Sequence, residues 1–195
     1  MPNQTAPNQT AKNRNSSDQP LIFLDLDGVL SDFQGHAQQE NKLKPNGKID
    51  YEALDYEWWK TMPAFEGARE FYDGACKEGF VRFLTGPILN EACYAGKARW
   101  VQDFVRERGK FILEDLIICD SENKFLLAAP GRILVDDRVN NIKAWEAAGG
   151  IGILHAGDYK DTMKQLQEAV IKLAAVSNPS PAKKPVLKDH LPKFH

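Results

Sequence analysis

The chain has 195 residues, room for one ordinary domain with a small insertion but short for two full domains. Hydrophobic residues make up 43% and charged residues 27%, the balance of a globular protein, and a formal net charge of -2 offers no basic excess for nucleic acid. No apolar run reaches the roughly 20 residues that cross a bilayer, and the first residues lack a signal peptide's apolar stretch, so the expected location is the cytosol. In chain order, residues 1–19 are polar and repeat PNQTA at 2–6 and 7–11, which predicts a disordered tail. LIFL at 21–24 reads as a buried strand ended by Asp25. The stretch 31–63 is too long for a simple connection and carries Phe33, Tyr51, Tyr56, Trp58 and Trp59, which predicts a small cap inserted after the first strand.

Residues 66–79 place Ala68, Phe71, Tyr72 and Ala75 on one helical face. VRFL at 81–84 is a second strand stopped by Thr85, Gly86 and Pro87, followed by a helix over 90–108. LIIC at 116–119 and ILV at 133–135 are a third and fourth strand, the latter running into Asp136 and Asp137. A helix over 139–148 closes on Gly149 and Gly150, IGIL at 151–154 is a fifth strand, and a last helix covers 161–175. Residues 177–195 are rich in Pro and Lys and predict a flexible tail. Strands alternating with helices over 20–176 predict an α/β, Rossmann-like parallel sheet with helices on both faces. The three cysteines, Cys76, Cys93 and Cys119, are too scattered for a disulfide framework or a zinc motif.

Ligands of such sheets bind beyond the carboxyl ends of the strands. Asp25, Asp27, Thr85, Asp136 and Asp137 all fall there. Four carboxylates at one edge repel one another unless a cation offsets them, and an all-oxygen set without His or Cys favours Mg²⁺ over zinc. An aspartate can attack phosphorus, and a second one two residues on can protonate the leaving oxygen and then deprotonate water. Thr85 and a lysine would hold the phosphoryl oxygens. Lys97 and Lys124 compete for that role. Trp100 and Trp145 are expected in the core, whereas Trp58 and Trp59 divide between cap core and substrate platform. Among the histidines, His155 is the one expected near the site.

DLDGVL at 25–30, FLTG at 83–86, a lysine, and LVDD at 134–137 together resemble the four motifs of the haloacid dehalogenase superfamily. The resemblance implies Asp25 as nucleophile and Asp27 as general acid and base, and it ranks Lys124, a dozen residues ahead of the final Asp pair, above Lys97 as the phosphate lysine. It also implies Mg²⁺ held by Asp25, the Asp27 backbone carbonyl and one of the final pair, with Asp137 favoured and Asp136 also in the site. WWKTMP at 58–63, KARWV at 97–101 and DDRVNNIKAW at 136–145 more narrowly resemble the 5'(3')-deoxyribonucleotidase group. That likeness implies a nucleoside monophosphate as substrate, with Phe33, and with it Trp58 and Trp59, against the base. The chain departs from the group at Gly86, where a second hydroxyl residue is often found, and at Glu122, where an Arg sometimes stands. The alternatives are another small phosphorylated metabolite, a nucleic-acid 3' phosphate, or a non-catalytic binding module. Oligomeric state is not legible, and a homodimer is compatible with the sequence.

Overall fold

The structure, a computed structural model, describes residues 19–106 and 115–177. The readings of 1–19 and 177–195 as loose tails fall outside these residues except at residues 19 and 177. Five strands form one parallel sheet: β1 (Leu21–Leu24), β2 (Phe80–Thr85), β3 (Leu116–Ile118), β4 (Arg132–Asp136) and β5 (Ile151–Leu154). Their spatial order is β3-β2-β1-β4-β5, the doubly wound order of a Rossmann-like α/β fold. The helices are α1 (Phe33–Gln39), α2 (Tyr56–Lys60), α3 (Ala68–Glu78), α4 (Glu91–Val105), α5 (Val139–Ala147) and α6 (Tyr159–Ser177).

β1 is the central strand and is apolar throughout because both of its faces are covered. Ile22 and Leu24 join the larger core with Phe71, Tyr72 and Ala75 of α3, Val101 and Val105 of α4, and Leu166 and Ala169 of α6. Phe23, between them, points the other way and packs with Leu84, Leu134, Ile142 and Trp145, the last two from α5. The period-two alternation of a strand thus divides the core between the two faces. Trp100 and Trp145, both buried, also hydrogen-bond through their indole N–H groups to the carbonyls of Met62 (2.7 Å) and Arg132 (3.4 Å).

The segment after β1 leaves and returns at one place. The Asp32 amide donates to the Pro63 carbonyl at 2.8 Å, and the Phe65 amide to the Leu30 carbonyl at 3.0 Å. Between these ends lie α1, a 3₁₀ turn at Tyr51–Ala53 and α2. Asp32 and Asp55 cap the two helices by accepting from Gly35 and Trp58 amides. Leu54, Trp58, Trp59 and Met62 pack into the same core as the sheet, so the inserted segment is fastened to the body. Its tightest contact is α2 against α4, where a side-chain carbon on Gly96 would collide with Cβ of Trp59.

Candidate active site

The strand registers bring the polar residues to one level. Leu24 pairs with Phe83 on one side and Val135 on the other, so Asp25 and Asp136 emerge side by side just beyond them. The Asp25 amide holds this alignment by donating to the Val135 carbonyl at 3.0 Å. The chain then turns sharply: Leu30 and Ser31 amides both donate to the Leu26 carbonyl, and Gly28 takes a φ of 82°. A side chain at Gly28 would collide with the Asp137 carboxylate, so that glycine is needed both for its backbone angle and for the close approach of Asp137.

The carboxylates of Asp25, Asp136 and Asp137 offer oxygens that all lie within 4.8 Å of one another. Their surroundings differ. Asp136 is fully buried and satisfied, accepting from Lys124 Nζ (2.7 Å), Asn141 Nδ2 (3.0 and 2.9 Å) and the Arg138 amide (2.9 Å). Asp25 is nearly as buried and accepts from the Leu26 amide (2.8 Å) and Lys124 Nζ (2.9 Å). Burial pushes the Asp25 carboxyl up to about 7, against the opposing pull of Lys124. Asp137 stands at the lip of the cavity, its carboxyl also pushed upward, first by desolvation and then by Asp136. Burial alone would lower the Lys124 ammonium, but Asp25 and Asp136 outweigh it and the net shift is upward.

Lys97 occupies a separate position. Its Nζ, almost fully buried, donates to Asp27 Oδ2 (2.6 Å), Thr85 Oγ1 (2.9 Å) and the Gly86 carbonyl (2.6 Å), and lies 5.2 Å over the Trp59 ring. Asp27 also accepts from Ser31 Oγ at 3.3 Å. With every group ionised, Asp25, Asp27, Asp136 and Asp137 against Lys97, Lys124 and the cavity-lining Arg138 leave a net negative charge that a cation would offset. The oxygen-only donors and this imbalance fit Mg²⁺.

A cavity of about 250 Å³ opens over the strand ends, lined among others by Asp25, Asp27, Phe33, Tyr51, Trp59 and Lys97. Sequence reading ranks Lys124 ahead of Lys97 as the phosphate lysine, but Lys97 is the one in the cavity wall. Lys124 is buried and spends its bonds on Asp25 and Asp136. The two tryptophans separate as well. Trp59 lines the cavity, stacked on Phe33 with ring centres 5.5 Å apart, while Trp58 is not in its lining and stacks on His36 at 4.8 Å. Among the described residues, the buried indole N–H groups of both find no hydrogen-bond partner. Gly86 lines the cavity, whereas Thr85 is fully buried beneath Lys97. Glu122 lines a neighbouring cavity of about 600 Å³ with Arg138 and Asn140, not the one over Asp25. His155 donates its amide to the Asp136 carbonyl, but its ring packs on Tyr159 and meets Thr162, away from the cavity lining. Arg138, which directly follows the final Asp pair, lines the cavity too, as do Ser121, Gln34 and Ile88. Nothing in the spacing of the last three from the motifs announces it, because a 3₁₀ helix, a helix start and a loop carry them there.

Neither a protein-family model nor a curated protein sequence matches the chain. Among solved structures, it is similar to a D,D-heptose 1,7-bisphosphate phosphatase from B. bronchiseptica, complexed with magnesium and phosphate. The identity is 14% and the TM-score 0.48, over 81% of this chain and 99% of that one. It is also similar to a hydrolase from Streptococcus pneumoniae TIGR4, at 14% identity and TM-score 0.41, over 77% of this chain and 99% of that one.

Proposed function

We propose that the chain is a Mg²⁺-dependent phosphomonoester hydrolase that acts through an aspartyl-phosphate on Asp25, with nucleoside monophosphates as its substrates. The observation that carries this reading is the convergence of Asp25, Asp27, Lys97 and Asp137 on one cavity. Asp25 attacks phosphorus, forming a carboxylate O–P bond as the ester P–O bond breaks. Asp27 gives its proton to the departing oxygen, then takes one from the water that cleaves the acyl phosphate and frees Asp25. Lys97, already joined to Asp27 and Thr85, holds a phosphoryl oxygen and keeps Asp27 facing the reacting bond. Lys124 opposes the effect of burial and favours the ionised, nucleophilic form of Asp25. Mg²⁺, held by Asp25, Asp137 and the Asp27 carbonyl with Asp136 alongside, would offset the charge gathered around phosphorus when bound. Phe33, Tyr51 and Trp59 give the cavity an aromatic wall, which supports a nucleoside as the leaving group with its base against the rings.

The test is phosphate release from nucleoside 5'- and 3'-monophosphates and sugar phosphates, with Mg²⁺ and with chelator. Metal-dependent release from nucleotides above sugar phosphates is expected. Equal release from all esters would keep the hydrolase and discard the nucleotide. No release from folded protein would overturn the reading and favour a binding module. Asp25→Asn should abolish turnover; retention of more than about a tenth, a barrier change of only ~1.4 kcal/mol, would exclude Asp25 as nucleophile.

A further inference from the structure

Ser121 begins the 3₁₀ helix Ser121–Leu127, just beyond β3, and its side chain reaches the wall of the cavity over Asp25. One neighbour determines what its hydroxyl can do. Asn141 Nδ2 donates to both oxygens of Asp136, and the same nitrogen donates to Ser121 Oγ at 3.1 Å. The amide cannot be turned over, because its oxygen would then face a carboxylate that has no proton to give. Ser121 Oγ is therefore an acceptor toward Asn141, and its own O–H must donate elsewhere. Among the described residues no acceptor receives that proton. Beside the carboxylates of Asp25, Asp27 and Asp137, the cavity it borders carries the Lys97 ammonium and the Arg138 side chain, two cations able to meet an anionic oxygen. Gly86 stands directly opposite: a side-chain carbon there would lie 3.1 Å from Ser121 Cβ, so the bare glycine leaves that part of the wall to Ser121.

We propose that Ser121 is a substrate-binding residue whose hydroxyl, oriented by Asn141, donates to a phosphoryl oxygen of the bound ester. The inference rests on the hydrolase reading above. It joins the two ends of the site, since the same Asn141 amide that steadies Asp136 also aims Ser121.

The test uses the full chain and inorganic phosphate as probe, with binding measured calorimetrically in saturating Mg²⁺ beside KM for an aryl phosphate. Ser121→Ala should weaken phosphate binding about tenfold, the effect of losing a hydrogen bond to a charged group. Mg²⁺ affinity should not change, whereas a residue that merely supported Asn141 and Asp136 would alter the metal and spare the phosphate. Moving the hydroxyl across the wall provides a second variant, Ser121→Gly with Gly86→Ser. With Ser121 Cβ gone, the nearest of the contacts left to the new Cβ are the Ser121 backbone N at 3.4 Å and Cα at 3.5 Å, and phosphate affinity should recover. Phosphate binding by Ser121→Ala within about twofold of wild type, the scatter of a neutral substitution, would overturn the proposal while leaving an active hydrolase intact. A folded swap variant no better than Ser121→Ala would also count against it. A wild-type protein that neither binds phosphate nor releases it from any ester would overturn the hydrolase reading and this one together.

Discussion

Removing Lys124 and removing Lys97 should have different consequences, because their partners differ in burial. Lys124 pairs with Asp25, which is nearly buried, and with Asp136, which is fully buried. Lys124→Met would leave two buried carboxylates without a cation, a loss of about 3–5 kcal/mol, read as a lower urea midpoint in metal-free protein. Lys97 pairs with Asp27, whose carboxylate keeps some contact with solvent. Lys97→Met should cost less stability but raise KM for phosphate esters by about 10- to 100-fold. Asp25 adds a pH signature. Its carboxyl titrates at about 7 in the fold against a reference value of 3.8. A raised value means the folded state keeps a proton that the unfolded chain has lost. That stabilisation is complete below pH 3.8 and disappears as pH rises through about 7. In metal-free protein, the melting temperature of Asp25→Asn should therefore rise relative to wild type between pH 5 and pH 8; an unchanging difference would contradict the raised carboxyl. Both lysines were visible as candidates in the sequence. Their division of labour was not, because it depends on which side of Asp25 each chain segment passes.

At the scale of elements, the contact that shapes the substrate end of the site is α2 against α4. Gly96 allows it, and the next residue of α4 is Lys97, whose ammonium lies over the ring of Trp59 from α2. Gly96→Ala would push a methyl into Trp59 Cβ, an overpacking cost of about 1–3 kcal/mol. Displacing α2 should raise KM for an aromatic ester while leaving Mg²⁺ affinity unchanged, since Asp25, Asp136 and Asp137 belong to β4 and to the turns after β1 and β4. Calorimetry with Mg²⁺ beside steady-state kinetics separates the two effects. The aromatic content of the cap was legible from composition alone. Its arrangement was not: Trp58 and Trp59 are adjacent in sequence, but helical geometry rotates neighbours by about 100°. One therefore faces the cavity and the other His36.

For the whole molecule, the net negative charge at the strand ends favours the folded state with a cation bound. Mg²⁺ at 100 times its dissociation constant should stabilise the chain by about 2.7 kcal/mol, and chelator should reverse the rise in melting temperature. The alternation of apolar runs with amphipathic stretches determined the five-stranded parallel sheet with helices on both faces. A strand covered on both faces must be apolar at every position, and a helix over a sheet needs one apolar stripe. The same alternation brought Asp25, Asp136 and Asp137 together, because parallel strands present their carboxyl ends on one edge. Tertiary structure alone decided that Lys97 lines the cavity, that Trp58 turns away from it, and that Ser121 faces Gly86. Those outcomes depend on the rotation of helices and the path of loops, which are settled by packing between segments distant in sequence and leave no periodic trace along the chain.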